Sequence, residues 1–307
     1  MSSKFEDLPN ELYLKIFRYL DTHDCYRAFS GLNDRLNMII RSTKDLSLVL
    51  NGNHVELIQM FASRIVRLEV NTWHEIDLRK FVNLKSLKLS RTTRQQVAYI
   101  RPNILPKLVR LSVSLAFDFW SSTQLAQDVF SNGFPRLRYA DLGRVDISYT
   151  NSWSLSSYLR SVCVCSSDPI IVPLILSACP HLIRLQVEIF GDNHRIDLPR
   201  LRLNHSLRKF IFADSYGVLS LNDIQLLLAY VPNIEYIHFT LFEMSFKGLA
   251  HLFIKQLHEL KIFECFINES VDEDNHIDEL RMMHPYFERI QYAVKRFGVQ
   301  YFTNKDK

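Results

Sequence analysis

Glycine is scarce in this chain, at 8 of 307 residues, and no glycine-rich phosphate loop is present. The HExxH and GxSxG patterns are missing as well, so neither a zinc-protease helix nor a hydrolase nucleophile elbow is indicated. Cysteine is sparse and badly placed for a disulfide framework. Cys25, Cys163, Cys165, Cys179 and Cys265 are odd in number and irregular in spacing, and reduced thiols are the expectation. The longest apolar stretches, around 170–176 and 226–231, fall far short of the roughly 20 residues that cross a bilayer. The first residues turn acidic at Glu6 and Asp7, where an export signal would need a basic and then an apolar segment. No membrane partner and a cytoplasmic or nuclear location are therefore expected. Cationic excess is slight, +4 with pI near 8.7, too little to imply nucleic acid. What remains is an ordinary globular composition, 47% hydrophobic and 23% charged, long enough for a large core.

The first 41 residues differ in texture from the rest. Leu8-Pro9-Asn10-Glu11 sets a proline where a helix can start, because the first turn has no partner for its N–H groups. Glu6, Asp7 and Glu11 gather at that start while Lys15 and Arg18 come later, an order that complements the helix dipole. A first helix over about 9–20 is predicted, with Leu12, Ile16, Phe17 and Leu20 on one apolar stripe. Asp21 and Thr22 supply capping oxygens for a second helix through Cys25, Ala28 and Phe29, which Gly31 breaks. Leu32, Leu36, Ile39 and Ile40 give a third helical face ending near Arg41. Three helices this short bury little alone, so a packing partner is implied.

The run Leu8-Pro9-x-Glu11-Leu12, then Ile16-Phe17-x-Tyr19-Leu20, Ala28-Phe29 and Leu32-Asn33-x-Arg35, resembles an F-box over about the first 40 residues. The resemblance implies that Leu8, Pro9, Leu12, Ile16, Phe17 and Leu20 meet a Skp-family adaptor and, through it, a cullin scaffold. The alternative is that Leu8-Pro9 merely starts a helix whose stripe is private core.

From Arg64 onward the chain repeats an apolar residue, two variable ones, an apolar residue, one variable and a final apolar one. The copies are Ile65-Leu68-Val70, Leu84-Leu87-Leu89, Leu108-Leu111-Val113, Leu137-Ala140-Leu142, Leu159-Val162-Val164, Leu182-Leu185-Val187, Leu207-Phe210-Phe212, Ile234-Ile237-Phe239 and Leu257-Leu260-Ile262. They lie 19 to 29 residues apart, and 43–48 reads as a partial tenth. Segments with helical spacing separate them, clearest at 125–130, 221–230 and 246–253. Each unit thus reads strand, then helix. One unit cannot bury its apolar face alone, whereas stacked units form a continuous core in a curved solenoid.

This pattern resembles an irregular leucine-rich repeat array over about 43–265, although the Asn or Cys three residues past the strand is absent from nearly every copy, Cys265 excepted. Beyond Asn268 the repeat stops. Ile277, Leu280, Met283, Ile290 and Val294 among the charges of 273–295 predict a terminal helix, bent or split at Pro285, over the open core of the last repeat. The expected fold class is α/β. A three-helix F-box at 1–42 is followed by a solenoid at 43–268, with parallel strands concave and helices convex, and by a helical cap and tail at 269–307.

If the repeat leucines point inward, the residues between them form the concave surface. Arg67, Arg110, Arg184 and Lys209 share one repeat position there, joined by Tyr139 and Tyr236. An acidic or phosphorylated protein segment is the expected ligand, because arginine grips carboxylate and phosphate through paired hydrogen bonds. A solvated face without a specific ligand is the alternative. Cys163 and Cys165 with Cys179 and His181 do not follow common zinc spacings, and no metal, other cofactor or catalytic residue is expected. Taken with the two resemblances, these readings imply a non-catalytic substrate-recognition subunit of a ubiquitin ligase, with an unknown protein as substrate. An interaction module outside ubiquitination is the second reading, and an enzyme on a repeat scaffold the third.

Overall fold

Helices α1 (Asn10–Tyr19), α2 (Thr22–Phe29) and α3 (Asp34–Ser42) open the chain in the computed structural model, which describes residues 7–52, 54–91, 93–114, 123–147, 153–191, 205–269, 277–295 and 298–303. Pro9 stands at the N-cap of α1, Asp21 caps α2 by accepting from His23 N at 2.8 Å, and Asn33 caps α3 by accepting from Leu36 N at 2.8 Å. Tyr13, Phe17, Cys25, Leu36, Ile39 and Ile40 are buried among them. Phe17 lies 6.0 Å from Tyr13 and 5.1 Å from Phe29, ring centre to ring centre.

The packing partner that three short helices need is the chain's own first strand, β1 (Leu46–Leu50). Thr22 Oγ1 donates to Ser47 O at 2.6 Å, and Asp21 Oδ2 accepts from Val49 N at 2.8 Å. Both backbone groups lie on the side of β1 away from β2, so two adjacent side chains satisfy polar groups that an edge strand leaves open. Arg64 adds a second tie, donating to the carbonyls of Ile40 at 3.2 Å, Arg41, and Met60 at 2.9 Å. A cation there complements the negative end of the α3 dipole.

Two compact units divide the chain, the first of 1–120 with 133–141 and the second of 121–132 with 142–307. The first holds α1–α3, α4 (Val55–Phe61) and α5 (Arg94–Ala98). Its strands β1, β2 (Ile65–Val70), β3 (Ser86–Leu89), β4 (Arg110–Val113) and the start of β5 (Tyr139–Arg144) pair in that order, all parallel. The second holds α6 (Thr123–Phe130), α7 (Ile171–Ala178), α8 (Leu221–Ala229) and α9 (Phe246–Gln256). Its strands β6 (Ser161–Ser166), β7 (Arg184–Ile189), β8 (Lys209–Asp214), β9 (Tyr236–Phe242) and β10 (Ile262–Glu269) are again parallel neighbours.

Eight of the nine expected copies coincide with strands in the expected phase, and their apolar residues are buried, as at Leu68, Val70, Leu185 and Val187. Each fully buried side chain of this size contributes about 1.5–3 kcal/mol. The partial copy at 43–48 becomes a complete strand, β1. The ninth copy is displaced. Tyr236 pairs with Ile262 and His238 with Glu264, so the ninth copy of the repeat falls on Leu260, Phe263 and Cys265, not on Leu257, Leu260 and Ile262. Ile262 is 52% exposed.

The C-terminal segment also departs from expectation. Helix α10 (Ile277–Met283) and a 3-10 turn at Pro285–Phe287 replace the long helix, and 273–276 lie outside the described residues. Ile290 and Val294 stand instead in β11 (Ile290–Lys295), a hairpin partner of β12 (Gly298–Thr303). β12 pairs antiparallel with β10, Ile267 opposite Tyr301, and so closes the edge that the last parallel strand would leave open. The cap is a short helix and a hairpin. Among the described residues no helix is long and apolar enough to cross a membrane.

Candidate binding surfaces on the helices and strands

The helical surface is set by which side of α1 faces the core. Pro9 and Leu12 are exposed, Leu8, Ile16 and Leu20 are partly so, and Phe17 is fully buried. Phe17 therefore corrects the sequence reading: it fills the core between α1 and α2 and presents nothing to a partner. Tyr13, which the apolar stripe omitted, is buried beside it because residues four apart share one helix face. The exposed apolar set extends to Tyr19 at 91% and Met38 at 65%, which spacing did not single out, and to Leu32 at 59%, which spacing placed on the third helical face but which precedes α3. Arg35 fixes the start of α1 relative to α3, donating through Nε to Asn10 Oδ1 at 2.9 Å and through Nη2 to Leu8 O at 2.6 Å.

On the strands, residues between the inward ones face away from the core, as pleating requires. In the first unit the register aligns Arg67, Ser86, Arg110 and Tyr139 across β2–β5. The guanidinium of Arg110 stands 4.6 Å over the Tyr139 ring, Lys88 pairs with Glu69 at 2.9 Å, and Asp141 accepts from Ser112 at 2.9 Å. In the second unit Arg184, Lys209, Tyr236 and Ile262 form the corresponding row. Lys209 Nζ lies 3.7 Å over the Tyr236 ring and Arg184 Nη2 donates to Gln186 Oε1 at 3.1 Å. Four cations do share one repeat position, but neighbours already engage Arg110, Arg184 and Lys209.

A polar cluster that the spacing did not reveal joins β9 and β10. Tyr236 OH donates to Glu264 Oε2 at 2.5 Å, and His238 Nδ1 is 3.2 Å from the same oxygen. Burial, the bond to Glu264 and its negative charge push the Tyr236 hydroxyl well above the usual tyrosine range. Burial pushes Glu264 upward, but hydrogen bonds from Tyr236 and His238, with the charges of His238 and Lys209, outweigh it and hold the carboxyl below its ordinary value. Tyr236 and His238 thus engage one carboxylate oxygen, which ties β9 to β10 through side chains as well as backbone. The misplaced ninth copy hid it, since Glu264 became a facing residue only in the corrected register.

This shift has a pH signature. A carboxyl held low in the folded state stabilises it fully above the ordinary carboxylate value, about 4.3, and that contribution is lost as pH falls through the folded value. Glu264→Gln is expected to lower the urea midpoint at pH 7 and to converge on the parent as pH falls through the lowered folded value of Glu264. A gap that stays constant across that window would show that the charge of Glu264 is not what stabilises the cluster.

Beside the cluster lies a cavity of about 760 Å³, lined among others by Lys261, Ile262, Glu264, His284, Tyr286 and Arg289. Burial raises the Tyr286 hydroxyl to about 12. No nucleophile emerges from the buried cysteines: burial lifts Cys25 and Cys179 to about 12 and Cys265 higher still, where the reactive thiolate is negligible. Cys163 and Cys165 sit on the outward face of β6, Cys165 Sγ at 3.7 Å from Glu188 Oε2. Among the described residues no three His, Cys, Asp or Glu side chains gather as metal ligands.

No protein-family model matches the chain, and no curated protein matches it. Among solved structures, a Bacteroides fragilis protein determined by a structural genomics consortium is similar at a TM-score of 0.35 and 12% identity, over 86% of this chain and 69% of the other. At that level the likeness carries no argument about function.

Proposed function

We propose that this chain is a substrate receptor of a Skp, cullin and F-box type ubiquitin ligase. In this reading α1–α3 dock the adaptor, the outward strand faces hold a target protein, and the chain contributes proximity and no chemistry of its own. The observation that carries it is the combination, at the resembling positions, of a Leu8-Pro9 helix start pinned by Arg35 with apolar side chains left in solvent at Leu12, Tyr19 and Leu32. Exposed apolar residues gathered on so small a helical segment suit a protein interface, where they bury area that isolated solvation wastes. The outward strand residues Arg67, Arg110, Tyr139, Arg184, Lys209 and Tyr236 would meet the target, in keeping with the frequency of arginine and tyrosine in interface hot spots.

The intact chain is expected to co-purify with a Skp-family adaptor and its cullin, and the Leu8→Ala, Pro9→Ala double variant to lose both while staying folded. Should the folded intact chain capture neither, the helices are not an F-box. A protein-interaction module outside ubiquitination is the second reading, and capture of the adaptor without the cullin would favour it.

A further inference from the structure

Basic residues outnumber acidic ones in the first unit, and the reverse holds in the second. The excess is concentrated where β3, β4 and β5 begin. Lys85, Lys107, Arg110, Arg136 and Arg138 are all exposed there. Val109 N donates to Lys85 O at 2.8 Å and Arg138 N donates to Val109 O at 2.9 Å, which places Lys85, Val109 and Arg138 side by side on three successive chain segments.

The second unit contains the same arrangement with one difference. Glu235 N donates to Arg208 O at 3.0 Å and Lys261 N donates to Glu235 O at 2.9 Å, so Arg208, Glu235 and Lys261 occupy the positions of Lys85, Val109 and Arg138. There the central carboxylate binds both flanking cations, Arg208 at 3.6 Å and Lys261 at 2.9 Å. Hydrogen bonding to Lys261, with the charges of Lys261 and Arg208, holds Glu235 below the ordinary carboxylate range. In the first unit the centre is a valine. Among the described residues the five cations have one carboxylate within 4 Å, Asp45 at 3.8 Å from Lys85. Lys107 is anchored to Asn83 Oδ1 at 2.6 Å and Arg110 rests on Tyr139, so two of the five are held in place without being neutralised.

We propose that the surface over Val109, between Lys85 and Arg138 and flanked by Lys107, Arg110 and Arg136, binds an aspartate or glutamate side chain of an acidic protein segment. The second unit supplies this carboxylate from its own chain, and the first takes it from a partner. Two chain segments apart is about 10 Å, so one carboxylate between them reaches both cations, as Glu235 does. Only the partner's role as a captured target rests on the ubiquitin-ligase reading; the binding itself does not. A protein segment fits better than RNA because the patch spans three strands only, the Tyr139 ring is already covered by Arg110, and the second unit is acidic.

The test uses the full chain without adaptor, so failure of the F-box reading leaves it intact. Fluorescence anisotropy would compare a glutamate-rich peptide, a phosphoserine peptide and a single-stranded RNA of equal charge at low salt. The glutamate peptide is expected to bind, at least as well as the phosphopeptide and better than RNA. Val109→Glu, which installs the internal carboxylate, should weaken it about tenfold or more, as should Lys85→Ala with Arg138→Ala, whereas Arg208→Ala should not. Binding unchanged in both first-unit variants, tighter binding of the phosphopeptide or RNA, or no binding of the glutamate peptide would each overturn the proposal.

Discussion

Phe246→Ala is expected to lower the stability of the second unit by about 3–5 kcal/mol, the range for removing a fully buried phenylalanine. Phe246 opens α9 and has no exposed surface. Its ring lies 6.1 Å from Phe263 of β10, 5.9 Å from Phe287 of the 3-10 turn and 4.9 Å from Tyr301 of β12. Phe253 and Phe239 extend the set, at 5.1 Å from Phe263 and 5.7 Å from Phe253 respectively. Aromatic pairs in such stacked, tilted and edge-on arrangements add about 0.5–1.5 kcal/mol each beyond the area they bury. Phe246 is therefore the joint between the last helix–strand unit and the hairpin cap, and its loss should be felt first in the cap. Hydrogen exchange on the intact chain would show it: protection should fall in α10, β11 and β12 while β1–β4 keep theirs. Undiminished protection of the hairpin would mean that strand pairing with β10, and not the aromatic cluster, holds the cap.

Phe17→Ala should have an effect of similar size on a smaller structure, about 3–5 kcal/mol, enough to unfold α1–α3 locally. Leu12→Ala, on the exposed side of the same helix, should change stability by no more than about 0.5 kcal/mol. On the proposed F-box reading both variants lose the adaptor, for different reasons: Phe17→Ala because its helices no longer form, Leu12→Ala because a contact is gone from a helix that persists. Helical protection of residues 10–42 measured alongside adaptor capture separates them. If Leu12→Ala melts the helices as Phe17→Ala does, the side of α1 read as an interface is part of the fold.

The strands could be read from the sequence because their pattern is local: inward residues such as Leu87, Leu111 and Leu185 alternate with polar neighbours, and a period of two suits a strand. The phase of the ninth copy could not. Leu257, Leu260 and Ile262 reproduce the spacing as well as Leu260, Phe263 and Cys265 do, and only pairing with β9 decides between them. The hairpin was hidden for a related reason. Ile290 and Val294 are four apart, as on a helix face, yet Ile290 is buried and Val294 exposed, and the segment is a strand because β12 lies alongside it. The candidate surfaces divide in the same way. Side-chain type and spacing pointed to Arg110, Tyr139, Lys209 and Tyr236. The Tyr236–Glu264 bond, the burial of Phe17 and the contrast between Val109 and Glu235 depend on which neighbours the fold supplies.

The hydrogen bonds that Asp21 and Thr22 make to β1, with the grip of Arg64 on the end of α3, leave no slack between helices and strands in the first unit. Only 43–45 separate α3 from β1. A flexible tether would let anything captured on β3–β5 sweep a volume around a body docked on α1–α3, with an effective concentration set by tether length. Here the link is a strut. On the proposed ubiquitin-ligase reading, a captured segment would be presented at one bearing and one reach, so the choice of lysine on a target would follow from orientation more than from diffusion.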